Sequence, residues 1–177
     1  FQNLLGFMYE NGEEVSPDYA EALKWFCRAA EQGNEDALKW LLNVAEQENT
    51  DALKWLHKAA KKGNADIQYL LGLMYESGEG VSQDNEEALE WLHKAAEQGN
   101  ADALKWFHKA AEQGNAGAQY LLGLMYEDGE KVSQNHGEAL KWLHKAAEQG
   151  NADALKWLHK AAKKGNADIQ YLLGLMY

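Results

Sequence analysis

Residues 100–114 read NADALKWFHKAAEQG, and residues 87–99, immediately before them, read EALEWLHKAAEQG. Fifteen residues have been copied in tandem, and the reading of that copy decides the fold. Within the copy Ala103, Trp106, Phe107, Ala110 and Ala111 recur at helical spacing and make one apolar face. Asn100 opens the stretch as a helix N-cap, and Gly114 closes it as the residue past a helix end. The piece is a helix of about three turns with its own start and stop, not a linker.

The same arithmetic runs along the whole chain. Tryptophan stands at 25, 40, 55, 91, 106, 142 and 157, at spacings of 15, 15, 36, 15, 36 and 15. Residues 67–117 and 118–168 agree at 40 of 51 positions. Two modules account for this, a 36-residue unit and a 15-residue extra.

The 36-residue unit reads as a helical hairpin. Its first helix is carried by NAGAQYLLGLMYED (115–128), in which Ala118, Leu122, Met125 and Tyr126 form an apolar stripe. Gly129 follows as a left-handed stop, as do Gly12 and Gly78. The second helix starts at a repeated capping pair: Asp18 with Glu21, Asp84 with Glu87, Asn135 with Glu138. Its apolar face carries Ala139, Leu140, Trp142, Leu143, Ala146 and Ala147. Gly-Asn pairs punctuate the remaining junctions, with Glu48-Asn49 in one slot, and links this short favour antiparallel neighbours. The expected architecture is all-α, an α-solenoid of stacked antiparallel hairpins with about eleven helices, in units 1–66, 67–117, 118–168 and a partial 169–177. Both ends fall inside the same kind of block, so the chain reads as a segment of a longer array.

The pattern resembles the Sel-one-like repeat, a relative of the tetratricopeptide repeat. Ala118, Leu122, Gly123, Tyr126, Gly129, Ala139, Trp142, Ala146, Ala147 and Gly150 fall where that family places them. The resemblance implies a right-handed superhelix and work as a protein-assembling adaptor. Two departures stand out. The second Gly of the family's turn is kept as Gly80 but replaced by Glu14 and Lys131, and the 15-residue extras are not part of the basic unit.

The extra helix is a hybrid, opening like the first helix of the hairpin and continuing like the second. An odd helix count per 51 residues leaves two possibilities. Either the array reverses layers at each unit, or the extra packs beside the second helix without taking a place in the alternation.

Composition narrows the function classes. Twenty-eight acidic against 17 basic residues give a net charge of −11, which opposes contact with phosphate backbones, so nucleic acid is not an expected partner. The longest apolar runs fall far short of the ~20 residues that span a bilayer, so membrane insertion is not expected. Cys27 is the only cysteine and excludes an internal disulfide, which leans towards a reducing compartment but leaves localisation undecided.

Catalysis is not expected. His57, His93, His108, His144 and His159 share one position, two residues after a tryptophan, where other copies hold Cys27 and Asn43. Such substitution and 15-residue spacing do not describe a metal site, and a polar rim is the simpler reading. Paired histidines there would still make stability sensitive to pH. Asp36, Asp51, Asp66, Asp102, Asp153 and Asp168 stand near helix starts, where the dipole favours them. No cofactor or metal is expected. An enzyme needs different residues converging once, and here each residue type recurs several times. The tryptophans read as packing pegs, each costing ~3–5 kcal/mol on truncation.

The candidate binding residues lie on the first helices, on the side away from the core stripe: Tyr69 and Leu73, Tyr120 and Leu124, Tyr171 and Leu175, each pair at i,i+4. Either they line a groove for a protein or peptide partner, or the extra helices or another molecule cover them. A second expectation is self-assembly through solenoid ends that lack a polar capping repeat, with other copies of the chain as partner.

Overall fold

The computed structural model describes residues 1–129 and 132–176, apart from the side chains of Asp168 and Met176. Lys131, Tyr177 and the side chain of Asp168 therefore lie outside the described residues. The described residues form eleven helices: α1 (Gln2–Asn11), α2 (Tyr19–Glu31), α3 (Glu35–Glu46), α4 (Thr50–Lys61), α5 (Ala65–Ser77), α6 (Asn85–Glu97), α7 (Ala101–Glu112), α8 (Ala116–Asp128), α9 (His136–Glu148), α10 (Ala152–Lys163) and α11 (Ala167–Met176). The class is all-α, and the extra helices are α3, α4, α7 and α10. The chain divides into two compact units, Phe1–Trp91 and Leu92–Tyr177.

The helix bounds follow from local chemistry. The side chains of Asn34, Asn64, Asn100, Asn115 and Asn151 each accept a hydrogen bond from the backbone N–H three residues on, at 2.8–3.0 Å. Each such cap contributes about 1 kcal/mol. Gly12, Gly78 and Gly129 end their helices at φ 75, 80 and 71. Glu48, in the slot that holds Gly elsewhere, adopts the same left-handed conformation at φ 62, and Glu14 does so at φ 61 in the slot of Gly80. The turn at Glu14 thus keeps its backbone despite losing glycine.

One expectation of the sequence does not hold. The capping pairs of α2, α6 and α9 make only one of their two arms. Asp18, Asp84 and Asn135 do accept from the N–H of Glu21, Glu87 and Glu138. Their own N–H groups, however, donate to the carbonyls of Tyr9, Tyr75 and Tyr126 at 2.9–3.0 Å. The carbonyl of the preceding helix takes the donor that the glutamate would have claimed, and Glu138 pairs with Lys141 at 3.0 Å instead.

The core follows the residue after each tryptophan rather than the tryptophan itself. Phe26, Leu41, Leu56, Leu92, Phe107, Leu143 and Leu158 are all fully buried, with alanines one turn before and after them. Among the tryptophans only Trp91 and Trp142 are buried, and the other five are half-buried. Where the tryptophan is half-buried, the smaller residue after it fills the gap between the close-packed alanine-rich helices. The fully buried pegs are the residues that follow the tryptophans, while Trp91 and Trp142 are buried with them and Trp40 and Trp55 pack against the core from its edge.

Within each unit the extra helix takes a full place in the alternation. In the first unit the extra helix α3 packs on α2 and reaches α1, where Trp40 Nε1 donates to Glu10 Oε1 at 2.8 Å. Next, α4 packs on α3 and also meets α2. In the second unit α10 packs on α9, and Asn151 Nδ2 at its start approaches the Ala116 carbonyl at the start of α8. Asp153 and Lys156 of α10 then face Tyr120 of α8, so the two helices run parallel. Finally α11 packs on both α10 and α9. The pairs α1–α3, α2–α4, α8–α10 and α9–α11 thus meet across the helix between them, as strict alternation within each unit requires. Because a single extra helix intervenes, α11 points opposite to α8 although both carry the same sequence pattern.

Candidate protein-interaction surface

The three Tyr/Leu pairs occupy equivalent sequence positions but unequal surroundings. Tyr69 and Leu73 on α5 are half-buried, as are Tyr120 and Leu124 on α8. The latter two pack against a cluster that includes Leu143, Ala154 and Leu158, so the extra helix α10 lies over them. Burial raises the Tyr120 hydroxyl above its ordinary pKa, with the Asp153 carboxylate adding to the shift. On α11 the equivalent residues are open: Tyr171 is 68% exposed and Leu175 64%. The structure brings no two of these pairs into one continuous groove within either unit.

What holds a helix onto this face is visible at α8. Leu124 and Tyr120 supply apolar contact, and the charges of Asp153 and Lys156 at the start of α10 act on the Tyr120 hydroxyl. An amphipathic helix carrying an acidic first turn and an apolar Ala-Leu-Trp face is what α10 offers. The phenol ring suits this junction because it is apolar in body and polar at its tip.

Buried glutamines were not anticipated from the sequence. Gln68 and Gln119 sit inside the apolar stripe of α5 and α8 and donate from Nε2 to the carbonyls of Ala60 and Ala111, each at 2.9 Å. Gln170 repeats the bond to Ala162. These carbonyls, in the last turn of the preceding extra helix, already accept from the N–H of Gly63, Gly114 and Gly165, so each glutamine adds a second bond that ties the two helices together. The signal was present, since the glutamine follows the N-cap asparagine by four residues in α5, α8 and α11.

The histidines are not a plain polar rim. His57 on α4 donates from Nδ1 to the Leu53 carbonyl at 2.8 Å and accepts at Nε2 from the Tyr75 hydroxyl at 3.0 Å. His108 meets Tyr126 edge to face, ring centroids 5.9 Å apart, as His57 meets Tyr75 at 6.0 Å. In these pairs the extra helix is tied to the hairpin that follows it. His93 faces Phe107, and His144 faces Glu148 on its own helix. Cys27 is half-buried, and burial together with Glu31 pushes its thiol up to about 12, so the thiolate is scarce at neutral pH. Among the described residues no group of three or more His, Cys, Asp or Glu side chains is arranged to hold a metal ion. No described helix is long and apolar enough to cross a membrane.

Fold and surface together define a helical-repeat protein built from hairpins and inserted single helices. The family model described as the Sel1 repeat matches residues 1–34, 45–64, 65–100, 101–115, 116–151 and 152–166. The chain belongs to the Sel1 repeat family.

Solved structures that resemble it include a protective antigen of uropathogenic Escherichia coli displaying an SLR fold. That chain is 31% identical, at TM-score 0.39, over 98% of this chain and 47% of its own length. A Sel1 repeat protein from Oxalobacter formigenes is 30% identical, at TM-score 0.34, over 90% of this chain and 64% of its own. One from Klebsiella pneumoniae is 20% identical, at TM-score 0.32, over 91% of each chain. The chain thus spans about half the length of the first and under two thirds of the second. A comparison with curated proteins found no match.

Proposed function

We propose that this chain is a non-catalytic interaction scaffold that docks a partner helix on the Tyr/Leu face of its hairpin-opening helices. The observation that carries the reading is the contrast between α8 and α11. Tyr120 and Leu124 lie under the extra helix, whereas the equivalent Tyr171 and Leu175 are open. The chain thereby contains its own example of what the face binds, an amphipathic helix with an acidic first turn. Membership of a family of helical repeats supports a binding role, and the repetition of every residue type supports a scaffold over an enzyme.

A second reading, association of copies, is favoured by the exposed apolar residues of α1 and α11. Leu4 on α1 is 59% exposed, and on α11 Tyr171 and Leu175 are open. Light scattering coupled to size exclusion over a hundredfold concentration range separates the two. Constant monomer mass favours a foreign helix as the occupant. Mass that rises with concentration, and falls back to monomer in Tyr171→Ser/Leu175→Ser, favours a second copy. The scaffold reading fails if neither a second copy nor an added amphipathic helix occupies that face.

A further inference from the structure

One place in the repeat is filled in the first unit and open in the second, and the comparison names what fits it. Glu10, Asp18, Tyr19 and Trp40 stand in the same register as Glu127, Asn135, His136 and Trp157, offset throughout by 117 residues. In the first unit the chain fills the place itself. The Tyr19 ring lies over Trp40, centroids 5.7 Å apart, and Trp40 Nε1 donates to Glu10 at 2.8 Å. Further along α3, Gln47 Nε2 donates to Asn43 Oδ1 at 3.1 Å, so these two amides satisfy one another.

In the second unit the tyrosine is replaced by His136, whose Nδ1 donates to Glu127 Oε2 at 2.9 Å. The imidazole is held at the carboxylate, and a cleft of about 350 Å³ opens beside Trp157. Leu140, Ala161 and Ile169 contribute apolar wall. Lys160 and Lys164 stand where the first unit has Asn43 and Gln47, so the neutral amide pair becomes two exposed ammonium groups. The volume lies within the range of ~300–1,000 Å³ usual for ligand pockets.

From this we infer that the cleft binds a tyrosine side chain of an acidic peptide segment, its ring over Trp157 and its flanking carboxylates at Lys160 and Lys164. The first unit supplies the template for the ring, because Tyr19 holds that position over Trp40. Charge supplies the flanks, because two ammonium groups outnumber the one carboxylate at this cleft, a local balance opposite in sign to the chain's net charge of −11. The Glu127 Oε2 accepts from His136 Nδ1, and its single charge is outnumbered by those of Lys160 and Lys164. The site shares with the scaffold reading only the premise that the chain binds protein. Tyr171 and Leu175 do not line it.

The test uses the full 177-residue chain and fluorescein-labelled peptides of sequence EEDYEDE and EEDAEDE, read by anisotropy at about 0.15 M salt, where the chain's overall charge is screened beyond roughly 8 Å. The tyrosine peptide saturates, and the alanine peptide binds at least tenfold more weakly. His136→Tyr, which installs the residue of the first unit at an exposed position, closes the place over Trp157 and weakens the tyrosine peptide at least tenfold. Its helicity and melting temperature stay equal to or above the parent. Lys160→Asn/Lys164→Gln weakens binding and flattens its salt dependence. Equal binding of the two peptides, no binding of either, or unchanged affinity in His136→Tyr overturns the site. A helix titrated onto the Tyr171/Leu175 face in the same variants reports separately on the scaffold reading.

Discussion

Trp40 on α3 donates its indole N–H to Glu10 on α1 at 2.8 Å, across the intervening helix α2. The bond joins an extra helix to the first helix of a hairpin and marks the extra as the next member of the same layer. The Trp40 ring also stacks on Phe26 at 4.0 Å, so its position is set by packing as well as by the bond. Glu10→Ala removes only the acceptor and is expected to cost about 1 kcal/mol, as for a part-exposed hydrogen bond. Urea denaturation checks this. In a cycle with Trp40→Phe, which keeps the stack, the two losses should not add.

Backbone geometry gives a pair of opposite expectations. Gly80 has φ +72, and a Cβ there would collide with the Ala45 carbonyl oxygen. Gly80→Ala is expected to destabilise by about 2–5 kcal/mol, combining left-handed strain with overpacking against backbone. Glu48 at φ 62 carries the strain without needing its side chain. Glu48→Gly is expected to stabilise by about 0.5–1 kcal/mol. Shifts of the denaturation midpoint in opposite directions are the check.

High pH should loosen the fold. The Cys27 thiol is pushed from 9.0 up to about 12 by burial and by Glu31, and burial also raises Tyr75 and Tyr120. A group held protonated in the folded chain and ionised in the unfolded chain makes the unfolded state bind fewer protons. Stability is therefore intact below about pH 9 and falls as pH rises towards 12. The slope from Cys27 is expected to be about 1 kcal/mol per pH unit at most, reduced by its partial exposure. Denaturation of Cys27→Ala from pH 8 to 11 should show a shallower decline than the parent, and native Cys27 should alkylate slowly at pH 8.

The helices themselves were legible because their punctuation is local. Asn100 and Gly114 act within a few residues of themselves, and they bound α7 as expected. The residues lost to sequence reading are those decided by a neighbour. Phe107 and Trp106 look alike on a helical wheel, and only the closeness of the packed helices puts Phe107 inside. Glu138 lost its reciprocal cap to a carbonyl of Tyr126 that lies across a turn. His57 reads as a rim residue until Tyr75 is seen 18 positions on, at 3.0 Å. The place of the extra helix was a question of parity, and contacts such as Trp40–Glu10 answer it. At the candidate site the sequence located Tyr120 and Leu124 but could not say that α10 lies over them.

The most direct measurement of the scaffold account is the binding of a single helix to the open face. A labelled peptide of residues 151–165, NADALKWLHKAAKKG, carries the surface that α10 presents to Tyr120 and Leu124. Titrated with the full chain, it should bind saturably to the parent and at least tenfold more weakly to Tyr171→Ser/Leu175→Ser. Those two side chains are exposed, so the variant should keep its helicity. Equal affinity for parent and variant, or no saturable binding to the parent, would contradict the account.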